Sequence, residues 1–459
     1  MSTRRSFIKK TIVAPVFLYA TSATISENQK TRIRKKDKVR IIIETDAGGD
    51  PDDEQSLVRF LLYASEFDIE GIIANRESAR TPENKNPVRD GLGIARSMVK
   101  AYGNCYPNLV RHNADFPQPD YLLDCTVSGY ANTVEGVSLI IRAVDSSDPR
   151  PVWFCNWGTD NGSAESCLKR ALDKILDERG PAGYAEFKSR IRLSSSDKFG
   201  DHTTTTFPPF PIWIDTFRPA IDNKRWYHMF SDITARAGGF DIERDVRTGH
   251  GPLGAMYPLN TNRPQKEGDT MSFLYLLPYG MSNPDSPGWG SWGGRYGLNE
   301  EHPGKNYYWA NQQDDWNGSI IRNNVLARWA EALQNDFRAR MDWCVKPYTE
   351  ANHHPVAVVN DIEGTVTIQL DAKPGKVIRL DGGKSYDPDG RNLIPEWLYY
   401  REAGNCSKEI KFTRINSMKT SFVVPEVEKP ETAHILFILR NDGNPPLYSY
   451  RRILINIKP

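Results

Sequence analysis

Residues 39–57 have the sequence "VRIIIETDAGGDPDDEQSL", which places six acidic side chains and two glycines directly after an apolar run. The β-branched run predicts a buried strand, and the segment "EQSLVRFLLYA" predicts the helix that follows it. A strand, a glycine turn and a helix form the first unit of a parallel α/β sheet. Because such sheets bind ligands at the carboxyl ends of their strands, the acids fall at the functional edge of the predicted sheet.

The same alternation continues to about residue 217 and predicts a mostly parallel sheet flanked by helices. Strands are predicted at "IEGIIAN", "PVWFCNWG", "RIRLSSSD" and "FPIWIDTF", whose near-continuous hydrophobicity is typical of strands covered on both faces. Helices are predicted at "SAESCLKRALDKILDERG", which ends at a glycine, at "DTMSFLYLLP" and over about residues 321–345. Residues 39–345 are therefore predicted to form one α/β domain.

From residue 356 the pattern changes to short alternating strands, which predicts a β-sandwich over residues 356–459 after a linker at 346–355. The segment "DGGKSYDPDG", followed by Trp397, resembles immunoglobulin-like modules of exported carbohydrate-active proteins. Asp387, Asp389 and Gly390 form either a calcium site or an Asp-capped hairpin turn, and the turn is the favoured interpretation.

The N-terminus is strongly basic, with 11 Lys/Arg against 2 Asp/Glu in residues 1–40, whereas the rest of the chain carries 48 against 56. Arg4-Arg5 and the apolar stretch "TIVAPVFLYATSA" resemble a twin-arginine signal peptide over residues 1–25, followed by a linker at 26–38. A basic tail with a short buried helix is the alternative. The signal interpretation predicts an exported protein, periplasmic or secreted, without a stable membrane span. The acidic remainder argues against nucleic acid as a partner.

The six cysteines have no metal-ligand spacing, which argues against a zinc site. Export would permit a disulfide, and Cys105 and Cys125, which flank a loop rich in proline and tyrosine, are the best candidate pair. Cys155 and Cys167 are predicted to be buried on a strand and a helix.

The acids of the opening stretch favour a cation site. Asp46 follows the strand, while Asp52 and Asp53 open the helix, and carboxylates this close repel one another unless a cation or protons neutralise them. A donor set made only of oxygen favours calcium or magnesium. The dipole of the helix also attracts acids, but it accounts only for Asp52 and Asp53, not for Asp46 or the glycines.

The opening stretch resembles the aspartate signature of the nucleoside hydrolase superfamily. Asp46 matches the family's strand-end aspartate and Asp52 and Asp53 match its Asp-Asp pair, with a loop two residues longer that includes Asp50. The longer form is closer to an exported nucleoside-hydrolase-like branch with a C-terminal sandwich, some members of which are described as cellulose-binding. The resemblance extends from residue 39 to the end of the chain.

Two later segments also resemble this family. "PVWFCNWGTDNGSA" matches a strand end whose backbone carbonyl binds calcium, here that of Trp157, and "EGDTMSFLYLLP" matches the segment whose aspartate, here Asp269, completes the site. The resemblance thus implies calcium bound by Asp46, Asp53, Trp157 and Asp269. It also implies that Asp46 is the catalytic base for attack of water on the anomeric carbon. Sugar hydroxyls would be held by Asp52 and by Asn75, although a lone Asn after a strand is as often a turn former.

Other features depart from the nucleoside hydrolases. Gly268 stands where those enzymes commonly have a histidine that assists the leaving base. The segment "GWGSWGGRYG" favours a sugar ligand instead, with Trp289, Trp292 and Tyr296 stacking on pyranose faces and Arg295 donating hydrogen bonds; packing of this loop on the core is the alternative. In "SSSDKFGDH", Asp197, Asp201 and His202 are further candidate pocket residues, one of which would serve as the leaving-group acid.

The sequence therefore predicts an exported, calcium-dependent glycoside hydrolase acting on a carbohydrate or glycoside. A non-catalytic carbohydrate-binding protein, for example one that binds cellulose, and a ribonucleoside N-glycosidase are the alternatives. The sequence determines neither the sugar nor the oligomeric state.

Overall fold

The predicted first strand, β1 (Val39–Thr45), is the centre of a mostly parallel sheet in the computed structural model of the chain. The structure describes residues 38–158, 166–196, 217–259 and 264–459, all of which belong to one compact unit, Lys38–Pro459. The predicted signal peptide and its linker, apart from Lys38, lie outside the described residues, as do the strand at "FPIWIDTF", apart from Phe217, and the candidates Asp197, Asp201 and His202.

The elements of the first part of this unit are β1, α1 (Asp52–Leu62), β2 (Phe67–Ala74), α2 (Gly91–His112), α3 (Pro119–Asp124), β3 (Thr126–Ser128), α4 (Glu135–Asp145), β4 (Val152–Asn156), α5 (Cys167–Ser189), β5 (Ile191–Ser195), β6 (Ala220–Asp222), α6 (Lys224–Thr234), α7 (Gly251–Ala255), α8 (Thr270–Leu274), β7 (Gly297–Leu298), β8 (Tyr307–Trp309), β9 (Asp314–Trp316), β10 (Ser319–Ile321), α9 (Asn324–Ala327) and α10 (Ala330–Trp343). A π-helical turn spans Glu243–Arg247, and short 3-10 turns occur at Ala64–Glu66, Ala237–Gly239 and Pro287–Trp289.

Within the described residues, the main sheet has eight strands in the order β3-β2-β1-β4-β5-β6-β8-β7. All neighbouring pairs are parallel except β7 with β8. The register pairs Thr45 with Ala74, and Asn156 with Ser195, so the strands end level with one another. The residues that follow these strand ends therefore lie along one edge, as the sequence predicted.

Both faces of this sheet are buried. Ile41 and Ile43 of β1 belong to a core on one face, and Ile42 belongs to a second core on the other. This alternation explains the near-continuous hydrophobicity of the strands, because every side chain of a doubly covered strand faces a core.

Two predicted helices are interrupted. In α5 the predicted stop, Gly180, adopts a left-handed conformation (φ 67°) and kinks the helix, which then continues to Ser189. The helix predicted over residues 321–345 is two helices, α9 and α10, and its expected first residue, Ile321, belongs to the β9–β10 hairpin instead. Asn317 and Gly318 have positive φ angles of 50° and 76°, which form the hairpin turn that the helical pattern concealed.

The C-terminal part is an all-β sandwich, as predicted. Its strands are β11 (Ile368–Ala372), β12 (Val377–Asp381), β13 (Leu393–Tyr399), β14 (Lys419–Val423), β15 (Glu431–Asn441) and β16 (Tyr448–Ile457). They form a four-stranded sheet, β11-β16-β15-β13, and a two-stranded sheet, β12-β14, around a core that includes Trp397 stacked on Phe437. Within the larger sheet β11 and β16 are parallel, while the other pairs are antiparallel.

The segment predicted as a linker, residues 346–355, is packed between the two parts. The backbone N–H and Nδ1 of His353 lie 2.8 and 2.9 Å from the Asp389 carboxylate. Asp387 Oδ1 accepts hydrogen bonds from the backbone N–H groups of Asp389 and Arg391. These carboxylates cap a turn and fasten the segment to the sandwich, which favours the turn interpretation over calcium.

The six cysteines are all free, so the candidate pair Cys105 and Cys125 is not joined by a disulfide. Cys105 lies on the buried face of α2, where its side chain is hydrogen-bonded with that of Cys344. Cys125 instead donates to the carbonyl of Leu122, 3.5 Å away. Cys155 and Cys167 are buried on a strand and a helix, as expected. Among the described helices, none is long and apolar enough to cross a membrane.

A buried carboxylate, Asp314, joins the sheet domain to the sandwich. It accepts hydrogen bonds from Arg295 Nε at 2.9 Å, Arg328 Nη1 at 3.0 Å and the hydroxyl of Tyr400 at 2.7 Å. Asp314 is fully buried, so its charge depends on these three donors for stabilisation.

Replacing Asp314 with Asn should lower the free energy of unfolding by about 3–5 kcal/mol, because two buried guanidinium groups lose their counter-charge. Urea unfolding measures this loss. The neighbouring Asp315→Asn variant is the control, since the carboxylate of Asp315 is exposed. Equal stabilities of the two variants would contradict the role of Asp314.

Candidate metal centre

The turn after β1 places Asp46 and the start of α1 side by side. Gly48 has φ 95°, and Gly49 donates its backbone N–H to the Asp46 carbonyl at 3.0 Å. A Cβ at Gly49 would lie 3.1 Å from both this carbonyl oxygen and Arg76 Nε. The two glycines therefore permit a left-handed turn and a close approach that side chains would hinder.

Three carboxylates form a compact group. Asp52, Asp53 and Asp269 each offer one oxygen within 4.8 Å of the others. All three are buried, with 1, 2 and 0% of their surface exposed. Ser196, which follows β5, donates its hydroxyl to Asp269 Oδ1 at 2.5 Å, whereas Asp52 Oδ1 and Asp269 Oδ2 have no hydrogen-bond partner among the residues that the structure describes. Burying carboxylate oxygens without hydrogen-bond partners is unfavourable in free energy, so a positive charge at this position would stabilise the group.

Burial and mutual repulsion shift the acidity of the group. Burial is the largest cause that raises the pKa of Asp53 and of Asp269 well above the usual range, and the neighbouring carboxylates raise it further. Burial also raises the pKa of Asp52 to about 6, against the lowering effect of Lys266. Such a group either retains protons or binds a cation, and its all-oxygen donor set fits a hard divalent ion.

Asp46 lies beside this group but is paired differently. Its Oδ2 lies 2.6 Å from Arg76 Nη2, and its carbonyl oxygen accepts from Arg76 Nε at 3.0 Å. Its backbone N–H donates to Asp53 Oδ1 at 3.1 Å, and the Thr45 hydroxyl donates to the same oxygen at 2.5 Å. Asp46 thus adjoins the group of three without belonging to it, and Asp52, expected only to bind sugar, belongs to it instead.

Asn75 and Trp157 lie where the sequence placed them, at the ends of β2 and β4, the two strands that flank β1. Asn75 Nδ2 donates to the Gly158 carbonyl at 2.8 Å and so connects the ends of β2 and β4. The Trp157 indole is 2% exposed and donates to the Ser272 hydroxyl at 2.7 Å. The Trp157 side chain therefore packs in the core. Only the backbone carbonyl of Trp157 remains as a candidate ligand at the carboxyl edge of the sheet.

Sequence reasoning missed two basic residues, Arg76 and Lys266. Lys266 Nζ lies 2.5 Å from Asp50 Oδ2 and 3.1 Å from Asp52 Oδ2, which gives Asp50 a partner that the family pattern does not supply. Arg76 directly follows Asn75 at the end of β2, so the parallel pairing of β1 and β2 was a signal for its approach to Asp46. No comparable signal existed for Lys266, because its position depends on a loop distant in the sequence.

Helix α1 holds that loop. Gln55 Oε1 accepts from the backbone N–H groups of Lys266 and Glu267 at 2.8 and 3.1 Å. Arg59 Nε lies 2.8 Å from Glu267 Oε2, with both side chains fully buried. Glu267 has a left-handed backbone (φ 46°), a costly conformation that these contacts maintain two residues before Asp269. The helix that supplies Asp52 and Asp53 therefore also positions Asp269.

The aromatic loop is used for packing between the two parts of the protein. Trp292 is 2% exposed and donates its indole N–H to the Tyr450 hydroxyl at 3.1 Å, and Tyr296 is fully buried. Arg295 is engaged by Asp314, and Trp289 packs edge-on against His434 with ring centroids 4.8 Å apart. The assignment of Trp292, Tyr296 and Arg295 to sugar binding is therefore wrong, since none of these side chains has a ring face or guanidinium edge open to a ligand. Trp289 also packs against the sandwich.

Comparison with known families matches two models to this chain. Residues 40–296 match the model described as cellulose-binding Sde182, nucleoside hydrolase-like domain. Residues 377–457 match the model described as cellulose-binding protein Sde0182, C-terminal domain. A search of curated proteins finds no match.

One similar solved structure is a nucleoside hydrolase-related protein from Saccharophagus degradans that is associated with carbohydrate metabolism. It shares 30% sequence identity with a TM-score of 0.72, over 92% of this chain and 100% of that chain. The effector protein XOO4466 matches with a TM-score of 0.34 at 10% identity, over 68% of this chain and 97% of that chain. The type III effector XopQ, solved with adenosine diphosphate ribose, has a TM-score of 0.33 at 10% identity, over 68% of this chain and 98% of that chain.

Calcium should stabilise the protein, because a cation relieves the repulsion among the three buried carboxylates. At a concentration about 100 times its dissociation constant, the gain in unfolding free energy is about 2.7 kcal/mol. Thermal unfolding with calcium and with a chelator measures it. Asp53→Asn should lose most of the gain, whereas Asp177→Asn, which removes an exposed carboxylate from α5, should keep it. An equal gain in both variants would contradict the site.

In the metal-free protein, stability should depend on the protonation of Asp52. Because burial raises the pKa of Asp52 to about 6 from 3.8, the folded state binds its proton more tightly than the unfolded chain. The stabilising contribution is complete below about pH 4 and is lost as the pH rises through about 6. The difference in unfolding free energy between the wild type and Asp52→Asn, measured in the presence of chelator, should therefore fall as the pH rises from 4 to 7. A flat difference would contradict the shift.

Proposed function

The chain belongs to the family of cellulose-binding Sde182 proteins with a nucleoside-hydrolase-like domain, and from this premise we propose that it is a calcium-dependent glycoside hydrolase acting on a carbohydrate or glycoside. The observation that carries the proposal is the buried group of Asp52, Asp53 and Asp269 at the carboxyl edge of the sheet. We also infer that it is exported, periplasmic or secreted, because a glycan substrate would be encountered outside the cytoplasm.

The donor set supports calcium as the cofactor. Three carboxylates from α1 and the start of α8 converge, and two of their buried oxygens have no hydrogen-bond partner within the described part of the chain. Asp46 and the Trp157 carbonyl are the further ligands that we propose. Bound calcium supplies Lewis-acid chemistry at the sugar hydroxyls.

The protein's own groups supply the proton transfer. Asp46 takes the proton of the attacking water as the water oxygen bonds to the anomeric carbon and the glycosidic bond breaks. Arg76 fixes the orientation of the Asp46 carboxylate through its 2.6 Å ion pair. Asp52 and Asn75 hold sugar hydroxyls, and an acid among Asp197, Asp201 and His202 protonates the leaving oxygen.

A second candidate function is binding of a glycan, for example cellulose, without cleavage. The ion pair of Arg76 with Asp46 favours it, because the guanidinium 2.6 Å away occupies Asp46 Oδ2 and opposes the rise in pKa that burial causes, which makes Asp46 a weaker base than burial alone would. Lys266 neutralises Asp52 in a similar way. A ribonucleoside N-glycosidase is less well supported, since Gly268 provides no group for a leaving base.

A panel of soluble glycosides, cello-oligosaccharides and nucleosides, assayed with calcium or with chelator, distinguishes these functions. We expect glycoside turnover that requires calcium and falls by about 100-fold or more in Asp46→Asn, the loss typical of a missing general base. Asp269→Asn should lose turnover together with calcium binding, while Asp177→Asn should retain both. Glycan binding without released sugar would favour the second function, and cleavage of nucleosides alone would favour the third.

A further inference from the structure

Two buried cysteines that are far apart in the sequence contact each other. Cys105 lies on α2 and Cys344 directly follows α10, and their side chains are hydrogen-bonded to one another. Both belong to the same hydrophobic core, with 1 and 3% of their surface exposed. The proposed carbohydrate function gives neither thiol a role, so their contact has to be explained separately.

The other four cysteines each donate a hydrogen bond to a backbone carbonyl. These pairs are Cys125 with Leu122, Cys155 with Ser272, Cys167 with Gly129 and Cys406 with Lys408. Cys344 also has such a carbonyl, that of Arg340 at 3.8 Å, in addition to the Cys105 thiol. The contact between two thiols therefore sets Cys105 and Cys344 apart.

One face of α2 is fastened along the residues that follow α10. Cys105, Asn108 and His112 are three and four positions apart, a spacing that puts their side chains on the same side of a helix. Asn108 Nδ2 donates to the carbonyl oxygen of Cys344, 236 positions away, at 3.0 Å, and His112 Nε2 lies 2.9 Å from that of Lys346. Contacts on either side thus hold the two cysteines together, independently of the thiols themselves.

A third segment packs closely against the pair. Gly251, the first residue of α7, has a left-handed backbone (φ 74°), and a Cβ there would lie 3.4 Å from Cys105 Sγ and 3.2 Å from Val345 Cγ1. The backbone N–H of Leu253 on α7 hydrogen-bonds to the Cys105 sulfur. The glycine permits this close approach, which encloses the pair on the side of α7.

Cys105 is the more acidic of the two thiols. The hydrogen bond from Cys344 lowers the pKa of Cys105 to about 7 against the opposing effect of burial, and the Leu253 N–H contributes to the lowering. The same contact raises the pKa of Cys344 well above its usual range. Because the thiolate is the nucleophile in thiol–disulfide exchange, Cys105 is the sulfur suited to react first.

We propose that Cys105 and Cys344 form a disulfide in an oxidising environment and so link α2 to the end of α10. The co-reactant is a disulfide-containing oxidant. The Cys105 thiolate attacks one sulfur of this oxidant, which forms a mixed disulfide and releases the other sulfur as a thiolate. Cys344 then loses its proton and attacks the Cys105 sulfur, which closes the bond and releases the second thiolate. The two cysteine thiols lose two electrons and two protons, and the oxidant is reduced to two thiols.

Burial determines when this exchange takes place. Both thiols are buried in the folded chain, so the oxidant reaches Cys105 while the chain folds or opens locally. Once formed, the bond lies in the core and is shielded from reductants. It encloses most of the sheet domain in one loop, and in the chain-entropy account long enclosed loops restrict the unfolded chain most. The disulfide therefore stabilises the fold, and it goes beyond the proposed function because it does not depend on calcium.

Thiol counting on the full chain tests this bond. The reduced protein is incubated with oxidised glutathione in urea just below its unfolding transition, then denatured and labelled with a maleimide. We expect six labelled cysteines before oxidation and four after it, with a proteolytic fragment that joins the peptides of Cys105 and Cys344. In the absence of urea, the thermal midpoint of the oxidised protein should be roughly 5 °C or more above that of the reduced protein.

Two variants separate this bond from the pair that the sequence suggested. Cys344→Ala should abolish both the crosslink and the rise in the midpoint. Cys125→Ser is the matched control and should keep both, since the half-buried Cys125 lies outside the pair. The joined fragment is identified in the wild type, so the test does not require that the variants fold.

Three results would overturn the proposal: six labelled cysteines after oxidation, a Cys105 that carries glutathione without a crosslink, or a bond from Cys105 to Cys125. A crosslink that leaves the thermal midpoint unchanged would overturn its stabilising role.

Discussion

The concentration of negative charge in a buried space is the constraint on which this structure depends. Asp52, Asp53 and Asp269 are each at most 2% exposed, and their repulsion is strong where water cannot screen it. Lys266 offsets part of the charge at Asp52, and Arg76 does so at Asp46. Asp52 Oδ1 and Asp269 Oδ2, which no described residue hydrogen-bonds, make a cation site physically reasonable.

Maintaining this group requires a rigid support. Helix α1 contributes two of the carboxylates at its first turn and holds the loop before the third through Gln55 and Arg59. The helix that stabilises the strained backbone of Glu267 is therefore the one that carries Asp52 and Asp53, the carboxylates close to Asp269. Both sides of the site are thus held by contacts of one element.

The C-terminal sandwich is an integral part of the folded unit. Asp314 receives Arg295 and Arg328 from the sheet domain and Tyr400 from the sandwich, and Trp292 donates to Tyr450 across the same boundary. The aromatic loop that suggested a sugar-binding surface is buried in this interface instead. Partly exposed tryptophans occur further along the chain, on β8 and the hairpin after it, where hydrophobicity alone did not distinguish them from core residues.

Local periodicity and short turns were enough to predict the α/β sheet and the sandwich, and to place Asp46, Asp52, Asp53, Asn75 and Trp157 at strand ends or at the start of α1. Which of these groups come into contact depends on the packing of elements that are distant in the sequence. Asp269 and Lys266 reach Asp52 across more than 200 residues of sequence, and the burial of Trp292 and Arg295 depends on a domain interface. Such contacts are set by packing between distant elements, which has no signature in the spacing of neighbouring residues.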